Sequence, residues 1–194
     1  MKMKIFVGVV VSVLLIVSSA VVSEDLEDRA RSSRAVAKQF AKELKGHLKK
    51  AVHDGGPTDA IKVCAEIAPE VALELSEKHD LRVARTSLKY RNSANAPDAW
   101  ETKVLEEFDK RKDAGESPEK MEYYEVVEED GKKAFRYMKA IPAKSPCLIC
   151  HGRNISEEVV KVLDEYYPED RARDFGRGDI RGAFTITQPL GVAK

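Results

Sequence analysis

Cys147-Leu148-Ile149-Cys150-His151 constrains this chain more than any other segment. Two thiols three positions apart lie on one turn of chain, where both can add to the vinyl groups on one haem edge. The adjacent imidazole then stands beneath the iron as its proximal ligand. The segment is therefore read as the attachment site of one covalent haem c, with Cys147 and Cys150 as thioether carriers and His151 as an axial ligand. Two rival readings use the same residues. A thioredoxin-like dithiol opens a helix within a βαβ unit, and no parallel βαβ pattern is visible here. A zinc site would take Cys147, Cys150 and His151 with Cys64 as the fourth ligand. A His directly after a Cys is awkward beside the usual zinc spacings. A zinc-stabilised, non-redox ligand-binding module is the alternative from another class.

The N-terminus suits haem attachment outside the cytoplasm. Lys2 and Lys4 precede an apolar stretch from Ile5 to Val17, and Ser18, Ser19 and Ala20 follow. That order is a secretory signal, with cleavage expected after Ala20 or Ser23 and a periplasmic or otherwise exported product. Left uncleaved, the run to Val22 is about 18 residues, the lower edge of a membrane anchor. The expected organisation is a signal peptide over 1–23, an N-terminal helix over 24–56 and a haem domain over 57–194. Without the signal about 170 residues remain, one ordinary domain by length. The signal carries both lysines and no acid, so the remainder has a net charge of about −2 and offers no electrostatic case for nucleic acid. Exported cysteines usually pair, yet this chain has three. Two thioethers and one further cysteine, Cys64, account for all of them.

The chain reads as α+β. Ser23 to Asp54 is rich in helix formers, with Phe40, Leu44, Leu48, Ala51 and Val52 at helical spacing and Ser23 as its N-cap. Gly55-Gly56-Pro57 ends it. A second helix from Thr58 or Asp59 carries Ile61, Cys64, Ile67 and Ala68 on one face until Pro69 breaks it, and a third runs from about Glu70 to Lys78. Leu81 to Thr86 alternates as a strand. Arg91 to Pro97 is an ordered loop, and a short helix opens at Pro97 or Asp98 with Trp100, Val104, Leu105 and Phe108. Met121 to Val127 and Lys133 to Ile141 flank Asp130-Gly131, a strong hairpin signal. Ser156 caps a helix that Pro168 ends, and Gly182 to Gln188 alternates as a last strand.

The second axial ligand is less determined by the residues. His47 lies three residues after Leu44 and could face inwards, although a partly buried helix residue is the plainer reading. His53 and His79 sit at helix ends, where the dipole alone explains a histidine. Met121 and Met138 fall in the hairpin as core residues. Cys64 is on the apolar face of a helix with no cysteine left to pair with it. An iron ligand and a buried free thiol both fit that position.

Segments spread along the chain carry a resemblance. They are Ala60-Ile-Lys-Val-Cys64-Ala-Glu-Ile-Ala-Pro69, Arg85-Thr-Ser-Leu-Lys-Tyr-Arg-Asn92, Asn95-Ala-Pro-Asp-Ala-Trp100, Pro146-Cys-Leu-Ile-Cys-His-Gly152 and Gly178-Asp-Ile-Arg-Gly-Ala-Phe-Thr-Ile-Thr-Gln-Pro-Leu190. From Arg34 to Leu190 the chain resembles the Tll-type monohaem c family, catalogued as a domain of unknown function and first seen in cyanobacteria. The resemblance implies a PAS-like fold, an antiparallel sheet flanked by helices with a long N-terminal helix, holding one haem c. It implies an axial pair of His151 and Cys64. It also implies that Arg85, Lys89, Tyr90, Arg91 and Asn92 lie along the haem crevice, where the cations can pair with propionates.

A thiolate ligand stabilises Fe(III) over Fe(II) and implies a low reduction potential. If the thiolate leaves on reduction, the expected role is a redox or gas sensor; if it stays, a low-potential electron carrier. An enzyme is not expected, because no distal acid–base pair can be placed and peroxidase-like chemistry would need one. A sensor would act on a separate signalling protein and a carrier on a redox partner. The N-terminal helix could also pair with its copy in a homodimer.

Overall fold

A computed structural model describes residues 8–129 and 131–190, with side chains described from residue 25 onwards. The chain is α+β, as expected. Its elements are α1 (Gly8–Ala65), α2 (Ile67–His79), β1 (Arg82–Thr86), α3 (Ala99–Asp113), β2 (Glu122–Glu129), β3 (Lys132–Pro142), α4 (Leu148–His151), α5 (Glu157–Tyr166) and β4 (Ile180–Leu190). The strands form one antiparallel sheet in the order β1-β4-β3-β2. The hairpin signal between β2 and β3 holds: Gly131 has φ +72°, and Asp130 lies outside the described residues. Residues 1–7, the start of the segment read as a secretory signal, also lie outside them. Among the described residues no helix is long and apolar enough to cross a membrane.

The sheet is covered on both faces, which explains its burial pattern. Phe135 and Tyr137 of β3 and Phe184 and Ile186 of β4 pack with Ala30, Val36, Phe40 and Leu44 of α1 and Val71 and Leu75 of α2. Met138 and Ala140 of β3 and Ala183 of β4 pack with Val104, Leu105 and Phe108 of α3. The central strands send successive side chains to two covered faces, so successive residues are buried. Burying a large apolar side chain contributes about 1.5–3 kcal/mol, and Phe40, Phe108, Phe135 and Tyr137 are each at most 1% exposed. Arg136, on the α3 side, donates to Asp98 Oδ2 (2.6 Å) and Glu101 Oε1 (3.2 Å). The same two acids form the capping box that opens α3, so one cation pins the helix start to the sheet. The edge strand β2 carries Glu122, Glu125 and Glu128, charges that discourage edge-to-edge pairing.

Several expected boundaries move. The backbone is already helical from Gly8, so Ser23 stands inside α1 and does not cap it. The apolar stripe leaves the core after Leu48, which is itself only partly buried, and Val52 is exposed. The Gly55-Gly56-Pro57 signal appears as a kink: Gly56 adopts φ +77° and ψ −170°, and the helix resumes in a new direction. The next break falls at Glu66 instead of Pro69, which occupies the first turn of α2, where its missing N–H costs nothing. Helix α3 continues to Asp113, past Phe108. Ser156 holds the N-cap position of α5 but makes no side-chain capping bond.

Gly182 sits where β1 meets β4, with φ +149°. A Cβ there would stand 2.4 Å from the Thr86 carbonyl oxygen and 3.0 Å from Ser87 Cβ. Gly182→Ala is therefore expected to destabilise the fold by about 1–3 kcal/mol through backbone strain, with steric overlap added. Denaturant unfolding measures it, and an unchanged midpoint would show that the β1–β4 contact yields freely.

Candidate haem-attachment site

The five-residue motif occupies a tight turn. Pro146 starts a single 3-10 turn over Ser145–Cys147, and α4 follows for four residues. Gly152 ends it in an extended conformation, where a Cβ would meet the Leu148 carbonyl oxygen at 2.5 Å. The turn is held from both sides by packing. Cys150 joins Ile61 and Ala65 of α1 and Val159, Leu163 and Tyr167 of the α5 region. Leu148 packs on Ala143, Ala172 and Phe175.

The segment from Asp170 to Phe175 clasps this turn. Asp174 N–H donates to the Gly152 carbonyl (3.2 Å) and Phe175 N–H to the His151 carbonyl (3.0 Å). His151 Nδ1 lies 2.8 Å from the Ala172 carbonyl oxygen. That oxygen only accepts, so Nδ1 carries the proton and Nε2 keeps its lone pair. Burial, and then the charges of Arg181 and Arg91, hold the imidazole pKa well below its ordinary value. The ring is neutral, the form in which histidine ligates a metal.

Cys64 arrives from the short stretch of α1 beyond the Gly56 kink. Burial pushes its thiol pKa up, and Arg85, Arg91 and Arg181 pull the other way; Cys147 is close enough to contribute. Burial likewise raises the Cys150 thiol, which feels Arg91, Cys64 and Cys147. All three cysteines are free and half-buried. Burial leads the shifts of Cys64, Cys150, His151, Arg85 and Arg181, although each is partly open to solvent. That combination describes side chains lining a recess.

The recess is cationic. Arg91 is spoken for: it donates to Asp170 through Nε (3.1 Å) and Nη2 (3.2 Å), and to the Cys150 and Ala172 carbonyls (2.5 and 3.2 Å). Among the described residues no carboxylate pairs with Arg85 or Arg181. Arg85 lies over the Phe40 ring at 5.8 Å, with its pKa lowered by burial. Arg181 donates to Ser87 Oγ (3.2 Å) and the Lys89 carbonyl (3.3 Å), and burial with two neighbouring guanidiniums pushes its pKa down to about 10. Two uncompensated guanidiniums in a recess favour an anionic occupant.

The residues singled out in the sequence divide. Cys64, Arg85, Arg91, Cys147, Cys150 and His151 meet at the recess. Lys89 reaches its rim over Phe175, 5.3 Å from the ring centroid. Tyr90 lies under Arg171, and its carbonyl accepts from Arg171 N–H. Asn92 instead caps the 3-10 turn over Ser93–Asn95 by accepting from Ala94 N–H. Of the alternative ligands, His47, His53 and His79 are exposed, while Met121 and Met138 are fully buried under α3 on the other face of the sheet. Sequence reasoning missed Asp170, Ala172, Phe175 and Arg181. Ala172 acts through its carbonyl and leaves no side-chain signal; Arg181 stood in a quoted motif without an assigned role.

Asp170 gives a stability test. Its side chain is 1% exposed and that of Arg91 8%. Burial pushes the carboxyl up, but the hydrogen bonds and charge of Arg91, the Ala172 N–H and Arg173 outweigh it, and its pKa lies below the ordinary value. A carboxylate depressed in the folded state stabilises above its unfolded pKa of about 3.9, and that stability is lost as pH falls through the depressed value. Asp170→Asn is expected to cost about 3–5 kcal/mol at pH 7, because it leaves Arg91 buried without its counter-charge. Chemical unfolding at pH 7 and below pH 4 checks both the loss and its shrinking in acid.

A family profile described as Tll0287-like matches residues 19–189. Among solved structures the chain is similar to the crystal structure of the cyanobacterial haem protein Tll0287, with 25% sequence identity and a TM-score of 0.65, over 86% of this chain and 98% of that one. No curated protein matches the chain.

Proposed function

Because the chain belongs to the Tll0287-like family, we propose that it is an exported monohaem c protein acting as a redox or gas sensor or as a low-potential electron carrier. One observation carries the reading. Cys64 and the Cys147–His151 turn, more than eighty positions apart in sequence, line one recess with Arg85 and Arg181, which have no carboxylate partner among the described residues. The residues fit the group. Cys147 and Cys150 would hold it covalently, and His151, fixed through Nδ1 by Ala172, would offer Nε2 to the iron. Cys64 would supply a second ligand atom to the iron, and Arg85 would meet a propionate. Bound haem supplies a one-electron redox centre; the protein's part is the ligand set, the burial and the surrounding charge.

The haem character of the matched solved structure supports the reading, and the charge order of residues 1–23 supports export. A separate redox or signalling partner goes with either role. The zinc alternative has less support, since among the described residues no group of three or more His, Cys, Asp and Glu is placed to hold a metal ion. Expression with haem-maturation machinery, followed by a pyridine haemochrome assay and intact mass, tests the proposal. One covalent haem per chain is expected, and its absence despite working maturation would overturn it.

A further inference from the structure

Arg181 occupies an irregular position in β4. The register with β3 pairs Ile141 with Gly182 and then Pro142 with Ile180, so Arg181 is the extra residue of a β-bulge. In an unbroken strand Arg181 would share the face of Ala183 and Thr185, towards α3. Instead Ile180 takes that face and packs with Met121 and Ala183. Arg181 is turned to the opposite side, where its guanidinium meets His151. Bulges re-aim single side chains in this way.

The contact is with the ring itself. Arg181 Nε lies 3.2 Å from His151 Nδ1 and 3.4 Å from Nε2. Nδ1 donates to Ala172 and cannot accept from Arg181. An in-plane approach equidistant from both nitrogens would drive the guanidinium into Cε1, so it lies over the ring face. Ser87 Oγ and the Lys89 carbonyl hold it there, and Phe175 closes the assembly: Arg181 is 5.4 Å from its centroid, and the imidazole meets it edge-on at 6.2 Å. The Ser87 hydroxyl is in turn buried, with the Arg181 carbonyl (2.8 Å) and the Lys89 carbonyl (3.0 Å) both in reach of its single proton.

We propose that Arg181 is a positioning residue for His151 that raises the reduction potential of the centre by holding a fixed positive charge against the axial imidazole. This rests on the proposed haem function and deepens it. The Ala172 carbonyl strengthens the imidazole as a donor and favours Fe(III). A cation on the ring draws density the other way and disfavours the extra positive charge of Fe(III). The bulge therefore tempers the low potential that a thiolate ligand imposes, without touching the iron.

The test compares wild type, Arg181→Gln and Arg181→Lys, each expressed with maturation machinery and assayed for covalent haem. Arg181→Gln is expected to shift the Fe(III)/Fe(II) equilibrium about tenfold towards Fe(III), which is 59 mV for one electron. Arg181→Lys keeps the charge and should hold the potential within about twofold. Both should move the ferric low-spin EPR g-values, which report the imidazole orientation, and a merely structural residue would move neither readout. Ser87→Ala, which loosens the guanidinium without removing it, should move the potential in the same direction as Arg181→Gln and by less. Haem-loaded variants with wild-type potential and g-values would overturn the tuning role alone. A wild-type chain without covalent haem would overturn the proposed function and the tuning role together.

Discussion

Cys147→Ser/Cys150→Ser, expressed with haem-maturation machinery, is expected to carry no covalent haem, a complete loss against one haem per chain in wild type. Each single variant retains one thiol and should give a mixture of singly attached and unattached protein. The reasoning is stereochemical. Both thiols lie on one 3-10/α turn whose ends are fixed by Gly152 and by the Asp170–Phe175 clasp, so each would present its sulfur at a set position to a bound haem. Intact mass under denaturing conditions reads the result directly. Haem retained by the double variant in denaturant would sink the attachment. His151→Ala should keep a covalent mass increment while losing the low-spin ferric spectrum, since it removes the neutral imidazole that Ala172 orients.

Cys64→Ala is expected to produce the largest change in redox behaviour. A thiolate stabilises Fe(III), and axial ligands set haem potentials over about 0.8 V, so its removal should raise the midpoint by on the order of 0.1 V. Ferric EPR and optical spectra should lose a thiolate low-spin signature. An unchanged spectrum and potential would reject Cys64 as a ligand. Carbon monoxide then separates the two roles in the wild-type protein. Ready binding to the ferrous form means that the sixth ligand departs on reduction, as a sensor requires. Failure to bind means that it stays, as suits a carrier.

Much of the scaffold was legible in the chain because it is written in local chemistry. The Asp130-Gly131 signal falls between β2 and β3, the Gly55-Gly56-Pro57 signal falls where the long helix is interrupted, and Asp98 opens α3 as its N-cap. Periodicity found α1 but not where its stripe leaves the core, because the end of the covering sheet is a tertiary fact; Val52 continues the pattern and is exposed nonetheless. The Pro69 break misread a residue that a helix tolerates in its first turn. The burial of successive residues in β4 was likewise hidden, since it depends on helices covering both faces of the sheet.

The site divides on the same line. Cys147, Cys150 and His151 are neighbours in sequence, and their spacing alone puts them on one short turn. The sequence also left Cys64 as the odd thiol of three, without saying where it lies. Only the tertiary structure joined it to the motif, by bending α1 at Gly56 and packing Ile61 and Ala65 against α5 beside Cys150. Only the tertiary structure separated the arginines as well: Arg91 is neutralised by Asp170, Arg85 is left open in the recess, and Arg181 is turned onto His151 by a bulge. A residue type states what a side chain can do. Which charge it meets, and which face of a strand it leaves from, depend on partners tens of positions away and on the register of a neighbouring strand, and those are decided when the chain packs.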